Sequence, residues 1–515
     1  MRVSTADFYR TGLANMMNKQ AEAMQTQTQL SSGKRFETAG QDPLAAATAQ
    51  RLNARIAELA AQNGNIEQAR TTLSMEETAL NGVTDILNEL REIALAANNP
   101  TMDSNTLAAQ ATLVENRLDD LLAIANSRDE NGNYLFSGYS EATQAFSKDA
   151  NGVVTFHGSQ SQRNVAVGDG QTVGMADTGF AVFQNLRSGN GDFAIDANAG
   201  NTGTGTVKPG EVIDPSAWDG QSYEIQLASR TAIDASALTF TDNGTDDALG
   251  YQLEINGTVV DTLAEGDTRT LDDIATNITA QAGTTGVSAE VKDGVLYLVN
   301  DNPGAGPITI RESITGATDA TDAVVGFLGG TLRNANSSIE TNIDAEADAW
   351  LVMDSTGALV EAGTYATGTA IEFAGITTAI TGAPENGDRF TVEPSERQDL
   401  FATVKRFADS LAGGALTPTQ RAAMQSELNQ VIEELDGGLA GIDVIRTDLG
   451  TRLSTLDRRE DANSALDLQM RKVLSSVEDA DIAELATRLS EQMLALQAAQ
   501  QSFIRIQGLN LFDLL

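Results

Sequence analysis

The chain has 515 residues, more than the ~250 to 300 residues at which a single hydrophobic core stops growing, so several domains are expected. Its formal net charge of −39 disfavours binding to nucleic acid and to anionic membrane surfaces. Because the chain has no cysteine, disulfides, thiolate catalysis and cysteine-ligated zinc are excluded.

The first predicted element is an amino-terminal helix within residues 1–40. The start of the chain lacks the apolar run of a signal peptide, and no stretch of ~18 apolar residues occurs, so neither a cleaved signal nor a membrane span is expected. The helical stripe that carries Leu13, Met16 and Leu30 is interrupted by two glutamines. Such a helix is marginal alone, and we expect these apolar residues to contact other subunits.

Residues 41–140 are predicted to form the first part of a helical rod domain. Between residues 43 and 98, apolar residues recur every seven positions, the 3.5-residue repeat of a left-handed coiled coil. Pro43 suits the first helical turn, and Pro100 follows the last. A second helix with its own apolar face returns along the first. The packing residues of the repeat are Leu52, Leu59, Ile66, Leu73, Leu80 and Leu87.

Residues 141–396 are predicted to form a β-rich, mainly antiparallel outer domain. They hold 32 of the 46 glycines, and 37 acidic against 10 basic residues, so most of the acidity belongs to this region. Alternating apolar residues at 251–255 and 295–299 lie beside Asn-Gly and Asp-Gly turns, which is typical of β-hairpins. A short helix is predicted at 271–278. We expect two modules, one of which contains this hairpin–helix repeat near 251–299.

Residues 397–479 are predicted to form the second part of the helical rod domain. Residues 480–515 follow as a carboxyl-terminal axial helix that pairs with residues 1–40. Its apolar face has no obvious additional partner within one chain, so we expect both ends to be disordered in the monomer and to order on assembly. The interface residues expected on this helix are Ile482, Leu485, Leu489, Leu496 and Phe503.

The order of these elements predicts a multidomain α+β fold. Both chain ends form a long helical coiled-coil or bundle rod, and the β-rich central domain is inserted between them. This topology suits a subunit of a fibre. Periodicity alone also allows an intramolecular helical bundle with a β insertion and no role in assembly.

The sequence offers few groups for catalysis. It has a single histidine, His157, and neither a Walker-type loop nor a Gly-x-Ser-x-Gly elbow. His157 ends a strand-like segment and is interpreted as a solvent-facing side chain. The acidic turn at 242–247 lacks the spacing of an EF-hand calcium loop. We therefore expect no catalytic residues, no metal and no cofactor.

Three segments of the chain resemble the flagellin superfamily of bacterial flagellar axial proteins. Residues 30–49, LSSGKRFETAGQDPLAAATA, are similar to the first turn of flagellin-like subunits. Residues 475–509 resemble the carboxyl-terminal segment of the same superfamily. Residues 131–139, NGNYLFSGY, together with both chain ends, are more similar to the branch found at the hook–filament junction than to flagellin itself.

This resemblance implies a structural subunit that joins the hook to the filament and catalyses no reaction. The implied partners are the first hook-associated protein, flagellin, further copies of the chain in a ring, and an export chaperone. The implied location is the extracellular flagellum, reached through the flagellar type III channel without a cleaved signal peptide. The alternatives are a flagellin filament subunit of the same fold and a secreted adhesin that uses the β-domain.

Overall fold

The computed structural model describes residues 5–241, 249–316, 322–333, 337–413 and 416–512. The acidic turn at 242–247 and the extreme residues of both chain ends lie outside these ranges. The α-helices are α1 (Thr5–Ser32), α2 (Pro43–Ala97), α3 (Ser104–Ala125), α4 (Leu271–Ala280), α5 (Ala282–Thr285), α6 (Leu400–Leu411), α7 (Pro418–Glu478) and α8 (Ile482–Phe512). A π-helical turn at Phe180–Gln184 and a 3-10 turn at Ala235–Ala237 complete the helical elements of the described ranges.

The strands lie between α3 and α6, and each of their pairings in the described ranges is antiparallel. They are β1 (Phe146–Lys148), β2 (Val154–Phe156), β3 (Asn164–Gly168), β4 (Gln171–Gly174), β5 (Leu186–Arg187), β6 (Phe193–Ala197), β7 (Thr206–Val212), β8 (Tyr223–Arg230), β9 (Thr239–Thr241), β10 (Gly250–Ile255), β11 (Thr258–Ala264), β12 (Val287–Lys292), β13 (Val295–Asn300), β14 (Ile308–Thr315), β15 (Ala323–Val325), β16 (Thr331–Arg333), β17 (Ser338–Ile343), β18 (Ala349–Asp354), β19 (Leu359–Thr364), β20 (Ala370–Phe373), β21 (Ile376–Thr381), β22 (Arg389–Pro394) and β23 (Arg397–Gln398).

The chain divides into two units. The first contains Met1–Leu73, Asn164–Met175 and Gly450–Leu515, and the second contains Ser74–Arg163 and Ala176–Leu449. Helices α2 and α7 each contribute residues to both units. The domain boundaries expected from the sequence, after residues 40, 140, 396 and 479, stay a prediction.

The long helices begin at residues that satisfy their first backbone N–H groups. The Asp42 carboxylate accepts a hydrogen bond from the Ala45 N–H at 3.0 Å, and Pro43 occupies the first position of α2. That hydrogen bond, together with one from Arg35, lowers the pKa of Asp42. At the start of α7, the Thr417 hydroxyl accepts from the Gln420 N–H at 3.2 Å. These caps place the helix starts where the sequence predicts them.

In the first unit, the β3–β4 hairpin is held against α2 and α7. The Asn65 side chain donates to the Ala166 carbonyl at 2.8 Å, and Arg55 pairs with Asp169 at the tip of the hairpin. The Asn463 side chain donates to the Val167 carbonyl at 3.4 Å. The hairpin therefore ties together helices that are about 400 residues apart in the chain.

In the second unit, an aromatic cluster joins the helices to the first strands. Phe401 on α6 lies against Phe183 of the π-helical turn and Phe146 of β1, and Phe136 completes the group. Neighbouring ring centroids are 5.0–5.5 Å apart, a distance at which aromatic pairs stabilise each other beyond their buried area. All four rings are fully buried.

Two hydrophobic clusters fill the larger β-structure of the second unit. One lies around Phe193, Leu227 and Phe390, and the other around Tyr251 and Ile310. The larger sheets have the strand orders β12-β13-β8-β18-β19, with β22 also beside β8 and β6, and β11-β10-β14-β17. Two of the strands that pair with β8, β18 and β22, lie more than a hundred residues after it in the chain.

A buried amide fixes strands of this region to each other. The Asn386 side chain donates to the Ser229 hydroxyl at 2.8 Å and to the Leu298 carbonyl at 3.1 Å. Its carbonyl oxygen accepts from the Asn300 N–H at 2.7 Å. One side chain thus satisfies polar groups of β8 and β13 that would otherwise be buried without partners.

The predicted fold class is confirmed. The chain ends are helical, the strands between them are antiparallel, and the assignment to a multidomain α+β fold holds.

Candidate assembly interface

The first and last helices of the first unit lie along each other. Gly12 of α1 faces the Phe503 ring of α8: a β-carbon built on Gly12 would make an ordinary van der Waals contact with the ring at 3.4 Å. Helix α8 thus packs against α1 within one chain. The expected disorder of the isolated ends stays a prediction about the monomer in solution.

The turns next to these helices are joined as well. Gly33 ends α1 with a φ of 68°, a left-handed conformation that glycine adopts without strain. The Arg35 N–H donates to the Glu478 carbonyl at 2.7 Å, and the Ala480 N–H donates to the Gly33 carbonyl at 2.9 Å. The turn after α1 and the junction of α7 with α8 therefore form a short antiparallel bridge.

The predicted interface residues differ in their burial. Leu485 is buried, whereas Leu13 and Ile482 are exposed. The remaining five, which are half-buried, are Met16, Leu30, Leu489, Leu496 and Phe503. The structure thus places all eight on the paired helices α1 and α8, and their contacts with other subunits stay a prediction.

Further large apolar side chains on the same two helices are exposed, and sequence reasoning missed them. On α1, Met17 and Met24 are 63% and 61% exposed. On α8, Met493, Leu494 and Ile504 are 58% to 69% exposed. Met493 and Ile504 are 11 residues apart, and Met17 and Met24 follow Leu13 by 4 and 11 residues. Such intervals place residues on one face of a helix, so this spacing could have indicated these exposed residues. Exposed apolar stripes of this kind mark protein–protein contact sites.

The predicted packing stripe of α2 is largely inaccessible to solvent. Leu52 is half-buried, and the other five residues of the repeat, Leu59, Ile66, Leu73, Leu80 and Leu87, are at most 1% exposed. Beside the stripe, the Arg70 guanidinium pairs with Asp457 at 2.8 Å and Glu460 at 2.6 Å, and these hydrogen bonds raise the pKa of Arg70. The packing residues are therefore structural and are not available as a binding surface in a single chain.

The described residues present little that resembles a reactive centre. His157 is exposed, and its Nε2 lies 2.7 Å from the Ser147 hydroxyl. Within the described ranges, no group of three or more histidine, aspartate or glutamate side chains is placed to hold a metal ion. None of the described helices has an apolar stretch long enough to cross a membrane.

The amino-terminal region of the chain is similar to known proteins. Residues 3–141 match the family of the bacterial flagellin N-terminal helical region. Flagellar hook-associated protein 3 from Salmonella typhimurium and its Escherichia coli counterpart are each 32% identical over 192 residues. These matches cover 36% of this chain and 58% of each relative, so the chain spans little more than half the length of those two proteins. A flagellin from Aquifex aeolicus is 23% identical over 95% of both chains.

Solved structures with a similar fold come from the same group. The flagellar hook-associated protein-3 from Legionella pneumophila has a TM-score of 0.56 at 24% identity, and the match covers 83% of this chain and 98% of that one. The protein FlgL from Xanthomonas campestris has a TM-score of 0.54 at 24% identity, covering 82% and 99%. At this identity the likeness shows the fold alone, and that fold is the one of hook-associated protein 3.

Proposed function

We propose that this chain, with the amino-terminal region of a flagellin and the fold of hook-associated protein 3, is a structural subunit that joins the flagellar hook to the filament. It catalyses no reaction. Its proposed partners are the first hook-associated protein on the hook side, flagellin on the filament side, and further copies of the chain in a ring. An export chaperone is proposed as a partner before assembly.

The observation that carries this proposal is the pairing of α1 with α8. The pair brings both chain ends into one helical element, yet it leaves Met17, Met24, Leu494 and Ile504 exposed. Neighbouring subunits that cover these side chains stabilise the pair in proportion to the apolar area removed from water. The ends are therefore suited to pass an export channel unfolded and to become stable on assembly.

The proposed location is the extracellular flagellum, reached without a cleaved signal peptide. Neither nucleic acid nor membrane is proposed as a partner. The net charge of −39 repels phosphate backbones and anionic lipids alike.

A filament subunit is the second candidate function. The alignment with Aquifex aeolicus flagellin extends along 95% of both chains, whereas those with the hook-associated relatives cover 36% of this chain. The higher identity to the hook-associated relatives favours the junction. The two functions differ in the position and copy number of the subunit, which can be measured.

Phe503→Asp tests the assembly role of the paired ends. We expect the variant to remain soluble, because Phe503 is only half-buried on the helix pair α1–α8. We expect it not to support filaments, because a carboxylate replaces the ring beside Gly12. The measurement is filament formation in a strain whose own copy of the gene has been deleted, together with the melting temperature of the purified variant. Ser502→Asp adds the same charge at the neighbouring, exposed position and should support normal filaments.

Normal filaments with Phe503→Asp would contradict the role of the paired ends. Loss of filaments with both variants would show that charge on α8 is harmful at any position, and the specific role of the pair would then be wrong.

A further inference from the structure

The second unit contains an open cleft of about 770 Å³ that the proposed assembly role does not use. One wall is the first part of α7, where Gln425, Asn429 and Glu433 follow each other at intervals of four residues and so share one face of the helix. Asn98, just beyond the end of α2, adds to this wall. Strands β7 and β21 form the opposite side. The volume lies within the ~300 to 1,000 Å³ range of ligand sites in proteins.

Each amide group of this wall donates one N–H to the protein itself. The Asn98 side chain donates to Asn429 Oδ1 at 2.8 Å, and the Asn429 side chain donates to the Val207 carbonyl at 2.9 Å. The Gln425 side chain donates to the Asn98 backbone carbonyl at 3.1 Å. The side-chain oxygens of Asn98 and Gln425 accept no hydrogen bond from the residues that the structure describes. Two amide oxygens of residues that line the cleft are therefore free to accept a hydrogen bond.

Glu433 adds a negative charge to these acceptors. It is half-buried, and its carboxylate forms neither a hydrogen bond nor an ion pair with a described residue. Burial, with a smaller contribution from the Asp436 carboxylate, raises the pKa of Glu433. A half-buried carboxylate without a partner is stabilised by any ligand that brings a positive charge and N–H donors.

We propose that this cleft binds a guanidinium group, as carried by an arginine side chain. A guanidinium offers five N–H donors in one plane and a permanent positive charge, which matches a wall of two amide oxygens and a carboxylate. Among the described residues that line the cleft none is aromatic, so they offer no stacking surface of the kind typical of sugar recognition. Lys208 also lines the cleft, and its positive charge opposes the binding of a cationic ligand. Removing this charge should therefore have the opposite effect on affinity to removing the charge of Glu433.

Binding of L-argininamide to the purified full-length chain tests this proposal. We expect titration by nuclear magnetic resonance to show saturable binding that weakens about tenfold in Glu433→Gln, because a charge-assisted hydrogen bond is lost. Lys208→Met should tighten binding, since it removes a like charge at the cleft. L-lysinamide should bind more weakly than L-argininamide, because an ammonium group cannot satisfy several planar acceptors together.

Glu340→Gln serves as the matched control. It removes the same charge from an exposed residue of β17 and should leave the affinity for L-argininamide unchanged. Equal affinities for the wild-type chain and Glu433→Gln would overturn the proposal, as would equal affinities for argininamide and lysinamide. Absence of saturable binding to the wild-type chain would overturn it as well. None of these results depends on the proposed role in the flagellum.

Discussion

Deletion of the gene for this chain is expected to leave complete hooks without filaments, and flagellin is expected to appear as monomer in the growth medium. The deletion removes the adaptor that has one face for the hook lattice and one for the filament lattice. Flagellin then meets a surface of different geometry, to which it cannot add. Motility should be lost entirely. The measurement is electron microscopy of the cells combined with flagellin quantification in the medium.

Complementation with the intact gene controls this experiment and should restore filaments. Normal filaments on the deletion strain would contradict the junction function. Cells that keep hooks but have no flagellin either on the surface or in the medium would identify the chain as the filament subunit.

Leu87→Asp is expected to lower the free energy of unfolding of the second unit by about 3–5 kcal/mol. Leu87 is fully buried in α2, and a β-carbon at Gly438 of α7 would lie only 3.6 Å from its Cδ1. The substitution removes buried apolar area and places a carboxylate at a position that is closed to solvent. Chemical denaturation followed by circular dichroism measures the change.

Asn81→Asp provides the control for Leu87→Asp, because it adds the same carboxylate at an exposed position six residues earlier in the helix. Its free energy of unfolding should stay within about 0.5 kcal/mol of the wild-type value. If both variants unfolded at the same denaturant concentration as the wild-type chain, the packing stripe of α2 would not be the seam described above.

The helices could be predicted closely from the sequence because their signals are local. The predicted range 43–98 for the first long helix compares with Pro43–Ala97 in the structure. The Asp42 cap and Pro43 mark the beginning of this helix, and the Asn-Asn-Pro segment at 98–100 marks its end. The seven-residue repeat likewise identified buried positions, because a period is visible in any window of sequence.

The strand pairing and the docking of the hairpin could not be predicted, because both depend on contacts between distant residues. Strand β8 pairs with β18 and with β22, and neither register leaves a periodic trace in the sequence. The hydrogen bonds from Asn65 and Asn463 to the β3–β4 hairpin come from polar residues that look like ordinary surface positions of a helix. Tertiary context alone gives these residues their role.

The candidate interface was predicted in part. The sequence predicted eight interface residues, all of which lie on α1 and α8, and their contacts with other subunits stay a prediction; it did not indicate the contact between Gly12 and Phe503. It also overlooked Met17 and Met24, because methionine is common in cores and its exposure depends on the partner helix. The cleft lined by Asn98, Gln425 and Glu433 had no sequence signal, since Asn98 lies 327 residues before Gln425 in the chain.

The position of the chain in an intact flagellum tests the junction function most directly. An antibody against the β-rich second unit, coupled to gold, can be imaged on isolated hook–filament complexes. We predict label at a single place, between the end of the hook and the start of the filament, in a few copies per flagellum. Label along the length of the filament, or on the cell surface away from flagella, would contradict the function proposed here.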